Sequence, residues 1–176
     1  MFLKIIYYIR NLWAVPLGII YNFIYFIKFL LFKKYRCKYF TNKALYDSCL
    51  DVEMLSNYFR NAYSYKYDFY MGILDHNNYN FEFFINFGDC EDVAFKVFKK
   101  LRSFKKYNVY LIFMYLDGKG YHFDVVYEDM ENNIVNLFNY GRMINGNSIV
   151  DVINILKDLY GVKYIKYDIV KKYIFK

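Results

Sequence analysis

The stretch "INFGDCEDVAFKVFKKLRS", residues 85–103, contains the pattern that decides the fold. After its cysteine, apolar side chains recur three and four residues apart, which is typical of an amphipathic helix that packs on one face. Asp89 is predicted to cap this helix, with Asp92 as the reciprocal capping residue, so that Cys90 takes the first helical position. The predicted apolar stripe consists of Val93, Ala94, Val97, Phe98 and Leu101.

A thiol at the start of a helix lies beside unpaired backbone N–H groups and the positive end of the helix dipole, which both stabilise a thiolate. The same N–H groups can donate to an oxyanion that forms beside the sulfur. The carboxylates of Asp89, Glu91 and Asp92 oppose the thiolate. Cys90 is therefore a candidate nucleophile, and the alternative is a buried cysteine that only fills space.

The chain after this helix alternates apolar runs with turn residues. Continuous aromatic and β-branched runs predict strands, and Ser148 with Asp151 predicts the start of a further helix that Gly161 ends. The predicted strands are residues 107–116, 121–128 and 133–140, with one or two more in the closing stretch 162–175. Helices followed by an antiparallel meander indicate an α+β fold.

Before residue 85 the pattern is weaker. Residues 33–47, "KKYRCKYFTNKALYD", are interpreted as a linker. Ser48 with Asp51 predicts a capping box at the start of a helix. Residues 63–85 are rich in Tyr and Asn and are interpreted as a loop with short pieces of structure, in which His76 is a loop residue.

The hairpin between the second and third strands predicts a partner for His122. If residues 129–132 form a four-residue loop, His122 faces Asn139 and Asp124 faces Leu137. An amide could then hold one imidazole nitrogen while the other addresses a thiol, as in Cys-His-Asn triads. A slip of one residue would remove Asn139 from that face.

The overall charge of +7 comes from one end of the chain. Residues 1–46 hold eight Lys or Arg and no acid, so the other 130 residues carry a net charge of −1. A nucleic-acid footprint over the main domain is therefore not expected. Three cysteines without a CxxC or Cys/His cluster argue against a disulfide framework and a zinc site, and they fit a reducing compartment.

The N-terminal segment contains 17 uncharged residues, 11–27, between basic flanks. Three interpretations stay open: a membrane anchor that spans or lies in the interface, a hydrophobic helix buried in the protein or in a partner, and a cleaved leader. For a spanning segment, the heavier basic flank on its C-terminal side predicts a cytoplasmic main domain.

The order "GDCEDVAFKVFKKLR", "YHFDVVYE" and "NLFNYG" resembles the transglutaminase-like cysteine peptidases of bacteria over about residues 80 to 142. That family shows a Gly-Asp-Cys helix, a strand that opens with His, and a strand that ends in Leu-Asp-Asn. The resemblance implies a papain-like core in which Cys90 is the nucleophile and His122 the base, with no metal or organic cofactor. Phe138 stands at the family's Asp position and leaves Asn139, while Asp124 is a further candidate to orient His122.

Together these features predict a hydrophobic segment at residues 1–40 and a transglutaminase-like domain at residues 41–176. The expected activity is hydrolysis or acyl transfer at amide bonds of proteins or peptides by Cys90, His122 and Asn139, with Asn86 as a weaker oxyanion donor. Residues 1–40 could contact a membrane or a protein partner. The alternative is an inactive protein of the same fold that serves in binding or assembly.

Overall fold

The computed structural model describes residue 16 and residues 19–62, 84, 88–129, 131–132 and 134–170. Its helices are α1 (residues 19–31), α2 (Lys33–Asp47), α3 (Val52–Ala62), α4 (Cys90–Ser103) and α5 (Ile149–Tyr160). Its strands are β1 (Tyr107–Leu116), β2 (Gly120–Asp129), β3 (Ile134–Asn139), β4 (Arg142–Gly146) and β5 (Ile165–Val170). These elements confirm the α+β class.

The five strands form one antiparallel sheet in the order β4-β3-β2-β1-β5. The first four strands follow one another as a meander. The chain then crosses the sheet through α5, and β5 pairs with the free edge of β1. β2, which carries His122, therefore lies in the middle of the sheet.

Helices cover both faces of the sheet, and each strand divides its side chains between two cores. We call the side beneath α4 the α4 face; its core includes Leu111, Phe113, Phe123, Val125 and Phe138. We call the opposite side the α5 face; its core includes Ile112, Met114, Val126, Leu137 and Leu156. Because both faces are buried, β1 is a continuous apolar run without alternation.

The helix predictions are confirmed for α4 and α5. All five residues of the predicted α4 stripe are buried in the core of the α4 face. Ser148 accepts a hydrogen bond from the Asp151 N–H at 3.1 Å, and Gly161 ends α5 with φ at 62°. On α5, Leu159 is exposed and Tyr160 packs toward the sheet.

Two predictions upstream of residue 63 are wrong. Residues 33–47 form α2 instead of a linker, and Tyr46 anchors this helix in the core, so the predicted domain boundary at residue 40 falls within a helix. Asp51 caps α3, because its Oδ1 accepts from the Met54 N–H at 2.8 Å. Ser48 instead ends α2.

The turn between β3 and β4 is pressed against α3. Tyr140 and Gly141 both have positive φ values, 46° and 83°, as a two-residue hairpin loop of type I′ requires. Ser56 Oγ and Arg60 Nε donate to the Gly141 carbonyl, the latter at 2.8 Å. A methyl group on Gly141 would lie 2.7 Å from the Ser56 carbonyl oxygen. The turn therefore needs glycine both for its backbone and for its contact.

Several features of the N-terminal third remain predictions. Residues 1–15 and 63–83 lie outside the described residues, and His76 is among them. Among the helices that the structure describes, none has both the length and the apolar composition to cross a membrane. The three interpretations of the N-terminal segment stay open at this point.

We expect Gly141→Ala to lower the free energy of unfolding by about 2–4 kcal/mol, because it adds a steric overlap to an unfavourable backbone conformation. The matched control is Gly118→Ala, since Gly118 has a φ of 71° and nothing within 4 Å of the added methyl group. That variant should lose only about 1 kcal/mol. Urea unfolding of both variants measures the difference, and equal losses would contradict the close contact with α3.

Candidate functional site

Cys90 occupies the position that the sequence predicts. It is the first residue of α4, Asp89 is the N-cap, and the Asp89 N–H donates to Asp92 Oδ2 at 3.3 Å in a reciprocal capping box. Cys90 is 6% exposed. The helix start thus holds a nearly buried thiol at the positive end of the helix dipole.

His122 and Asp124 come from β2 and lie on the α5 face. Their neighbours Phe123 and Val125 belong to the core of the α4 face, and strand side chains alternate. His122 lies opposite Met114 of β1, and Met114 lies in the core of the α5 face. Both His122 and Asp124 are buried.

The predicted register of the hairpin is wrong by two residues. The structure pairs Val126 with Leu137 and Asp129 with Ile134, so that Asn139 falls opposite Asp124 at the next step along the strands. The loop begins one residue later than predicted because Asp129 accepts hydrogen bonds from the Glu131 N–H and the Asn132 amide. A shift of two residues preserves the face, so Asn139 still points to the side of His122.

The side chains of His122, Asp124 and Asn139 are in direct contact. Asn139 Nδ2 lies 3.2 Å from His122 Nε2. It also lies 3.1 Å from Asp124 Oδ1 and 3.0 Å from Asp124 Oδ2. Asp124 Oδ2 is 3.3 Å from His122 Nε2. The structure therefore brings two of the three predicted site residues, His122 and Asn139, together. They meet around the carboxylate of Asp124, which the sequence offered only as an alternative to Asn139.

The chemistry of these atoms limits their roles. An ionised carboxylate only accepts hydrogen bonds, whereas an amide nitrogen only donates. The Asn139 amide donates to both oxygens of Asp124, and His122 Nε2 lies 3.3 Å from Asp124 Oδ2. With its proton on Nε2, His122 can donate toward this carboxylate, and Nδ1 is then the nitrogen that accepts a proton. In this tautomer Asp124 is the direct partner of the imidazole, and Asn139 supports Asp124.

Tyr160, at the end of α5, completes the group and was not predicted as a site residue. Its hydroxyl accepts from Asn139 Nδ2 at 3.2 Å and lies 3.4 Å from His122 Nε2. Lys119 Nζ holds this helix end by donating to the Tyr160 carbonyl at 2.6 Å. Helical periodicity could have placed Tyr160 on the buried face of α5, because it lies four residues after Leu156.

The surroundings of Tyr160 shift its pKa in both directions. Burial raises the pKa of Tyr160, and the charge of Asp124 raises it further. The hydrogen bond from Asn139 lowers this pKa, and the charge of Cys90 adds a smaller increase. The Tyr160 hydroxyl is thus surrounded by the groups of the candidate site.

Tyr140 links the ring of His122 to the core of the α4 face. The pairing of β2 with β3 ends close to Asn139, where the chain turns through Tyr140 into β4. His122 lies beyond this end, and its ring is 5.7 Å from the Tyr140 ring, which packs against the core of the α4 face.

The other candidate residues are Asn86 and the two remaining cysteines. Asn86 lies outside the described residues. Cys37 is exposed and Cys49 is buried. Within the described part of the chain, no group of three or more His, Cys, Asp or Glu side chains is arranged to hold a metal ion.

If Asp124 orients the imidazole, neutral His122 should carry its proton on Nε2. We expect ¹⁵N NMR of the ring nitrogens to show this tautomer in the wild type and a mixture of tautomers in Asp124→Asn, because the acceptor for Nε2–H is weakened. Glu128→Gln is the matched control, since Glu128 is another carboxylate of β2 and binds Tyr110 instead. An unchanged tautomer in Asp124→Asn would assign the orienting role to Asn139 or Tyr160.

Comparisons with known proteins do not assign the chain to a family. No protein-family model matches the chain, and neither the curated proteins nor the solved structures contain a match. The resemblance to transglutaminase-like peptidases therefore rests on the residues of the chain, and the chemistry of the site rests on its contacts.

Proposed function

We propose that the protein is a thiol-dependent hydrolase or acyl transferase that acts on amide bonds of proteins or peptides, with a transglutaminase-like, papain-like core. The observation that supports this most strongly is the buried contact of His122 Nε2 with Asp124 and Asn139, in a chain whose Cys90 opens a capped helix. With its proton on Nε2, His122 has Nδ1 as its basic nitrogen. The pairing is that of a nucleophile with an oriented base.

In the proposed reaction, His122 Nδ1 takes the proton from the Cys90 thiol, and the thiolate attacks the carbonyl carbon of the amide. The carbonyl oxygen becomes an oxyanion, which the Cys90 backbone N–H can stabilise at the start of α4. His122 then returns the proton to the leaving amine as the C–N bond breaks, and a thioester with Cys90 remains. Water or a second amine releases the acyl group and restores the thiol.

Asp124 takes the position of the third catalytic group in this proposal. It fixes the ring of His122 and stabilises the imidazolium while the proton resides there. Phe138, at the position where the resembled family has Asp, is buried in the core of the α4 face against the ring of Phe59 at 5.8 Å. A carboxylate from β2 therefore compensates for the missing carboxylate on β3, and the Asn139 amide, which also donates to the Tyr160 hydroxyl, holds it in place.

A second candidate is a binding or structural protein that does not catalyse a reaction. The 6% exposure of Cys90 favours it, because a nucleophile must reach its substrate. Thiol reactivity distinguishes the two functions, since Cys37 is exposed and accessibility alone would make it react first.

We expect iodoacetamide at neutral pH to alkylate Cys90 faster than Cys37 in the wild type, because a thiolate reacts and a thiol does not. In His122→Ala the Cys90 rate should fall about ten- to a hundredfold at neutral pH and recover only at higher pH. His76→Ala is the matched control and should leave the rate unchanged. Peptide mapping by mass spectrometry measures each cysteine separately. Slow labelling of Cys90 that is the same in all three proteins would favour the binding protein.

The same roles predict a graded loss of turnover. Cys90→Ser should abolish release of amines from peptide amides, and Asp124→Asn should reduce turnover by roughly 10²–10⁴ because the base is misoriented. Asn139→Ala should reduce it by about one to a few powers of ten. Circular dichroism checks that each variant is folded. If Asp124→Asn keeps full turnover while Asn139→Ala loses it, Asn139 is the orienting residue.

A further inference from the structure

The helix α1 has an apolar face that is exposed among the residues that the structure describes. Seven apolar residues point outward, with exposed fractions that reach 60% for Phe23 and 68% for Leu31. At 100° per residue they fall within one arc of about 140°. These residues are Ile19, Ile20, Phe23, Ile24, Ile27, Leu30 and Leu31. We call them the α1 apolar face.

The opposite side of α1 is fixed to the protein. The ring of Phe29 contacts the rings of Tyr39 and Phe40 of α2, at 5.2 and 5.6 Å. Arg36 Nη1 donates to the carbonyl of Leu30 at 2.6 Å and to that of Phe29 at 3.3 Å. These contacts orient α1 relative to α2, so the α1 apolar face points away from the chain.

Basic residues lie at the edge of α1 and after its C-terminal end. Lys28 lies at the edge of α1 with its ammonium 4.3 Å from the centre of the Tyr25 ring, and Lys34 lies 5.0 Å from the Tyr35 ring. Lys33, Arg36 and Lys38 follow in the next turns. The positive charge therefore follows the C-terminal end of the α1 apolar face.

An apolar helix face bordered by Lys and Arg matches the surface of an anionic bilayer. The apolar side chains enter the boundary of the acyl chains, while the ammonium and guanidinium groups meet lipid phosphates and carboxylates. A neutral protein partner would use the apolar face but would gain nothing from the basic border. The absence of any acid in residues 1–46 favours a negatively charged partner.

We propose that α1 lies in the interface of an anionic lipid bilayer, with the α1 apolar face in the acyl boundary and the basic residues of α1 and α2 at the headgroups. Because α1 packs against α2 on its other side, the helix lies along the surface and the domain stays outside the acyl region. This attachment does not depend on the proposed catalysis.

The test is flotation of the full chain with vesicles of phosphatidylcholine, with and without phosphatidylserine. We expect binding to the vesicles that contain phosphatidylserine and a strong decrease with added salt. The variant Ile20→Gln/Phe23→Gln/Ile27→Gln should reduce the affinity at least tenfold, because it removes apolar area from the boundary. The variant Lys33→Gln/Lys34→Gln/Lys38→Gln should reduce it about a hundredfold on anionic vesicles only.

The matched control is Val150→Gln/Ile155→Gln/Leu159→Gln, which changes three exposed apolar residues of α5. It should bind vesicles like the wild type. Equal binding to neutral and anionic vesicles, or an equal loss in this control, would overturn the proposal. So would a concentration-dependent dimer in sedimentation that the α1 variant abolishes, since the face would then bind a second copy. Alkylation of Cys90 in the α1 variant should match the wild type, which separates this result from the proposed function.

Discussion

The buried carboxylate of Asp124 is the constraint around which the site is built. It is 3% exposed, and an ionised carboxylate in such a place is stable only if donors replace the lost water. The Asn139 amide on the neighbouring strand donates to both carboxylate oxygens, and His122 Nε2 on the same strand lies 3.3 Å from Oδ2. One unfavourable burial thus fixes the orientation of an imidazole, the position of an amide and the side of the sheet on which both lie.

The same constraint extends outward through Asn139. This residue ends β3, and the turn that follows it is held by α3 through the Gly141 carbonyl. The core of the α4 face contains residues of α2 and α3 together with those of α4 and the sheet. The elements upstream of residue 63 therefore support the site, although none of their side chains belongs to the group around His122.

The sequence predicted most of the secondary structure because local signals determine it. The reciprocal acids at Asp89 and Asp92 placed the start of α4, and the glycine at 161 placed the end of α5.

β4 was missed, because Tyr140 continues an apolar run and the positive φ that ends β3 leaves no mark in that pattern. α2 was taken for a linker because its composition is basic and aromatic and only Tyr46 of this helix is buried. The register was wrong by two residues because Asp129 still belongs to the strand, yet the even shift kept Asn139 on the correct face. The role of Asp124 depends on a contact across strands, and strand spacing alone could not rank it above Asn139.

The position of the site residues along the chain also has a consequence for assembly. His122, Asp124 and Asn139 are separated by at most 17 residues and belong to one hairpin. Tyr160 lies 38 residues from His122, and Cys90 belongs to a helix that precedes the whole meander. Closing a loop costs more conformational entropy as the loop grows. The group of His122, Asp124 and Asn139 is therefore a short-range unit of the polypeptide. In the proposed site, Cys90 and Tyr160 join this unit only when α4 and α5 dock on the sheet, so the two longer loops are closed by helix packing and not by strand pairing.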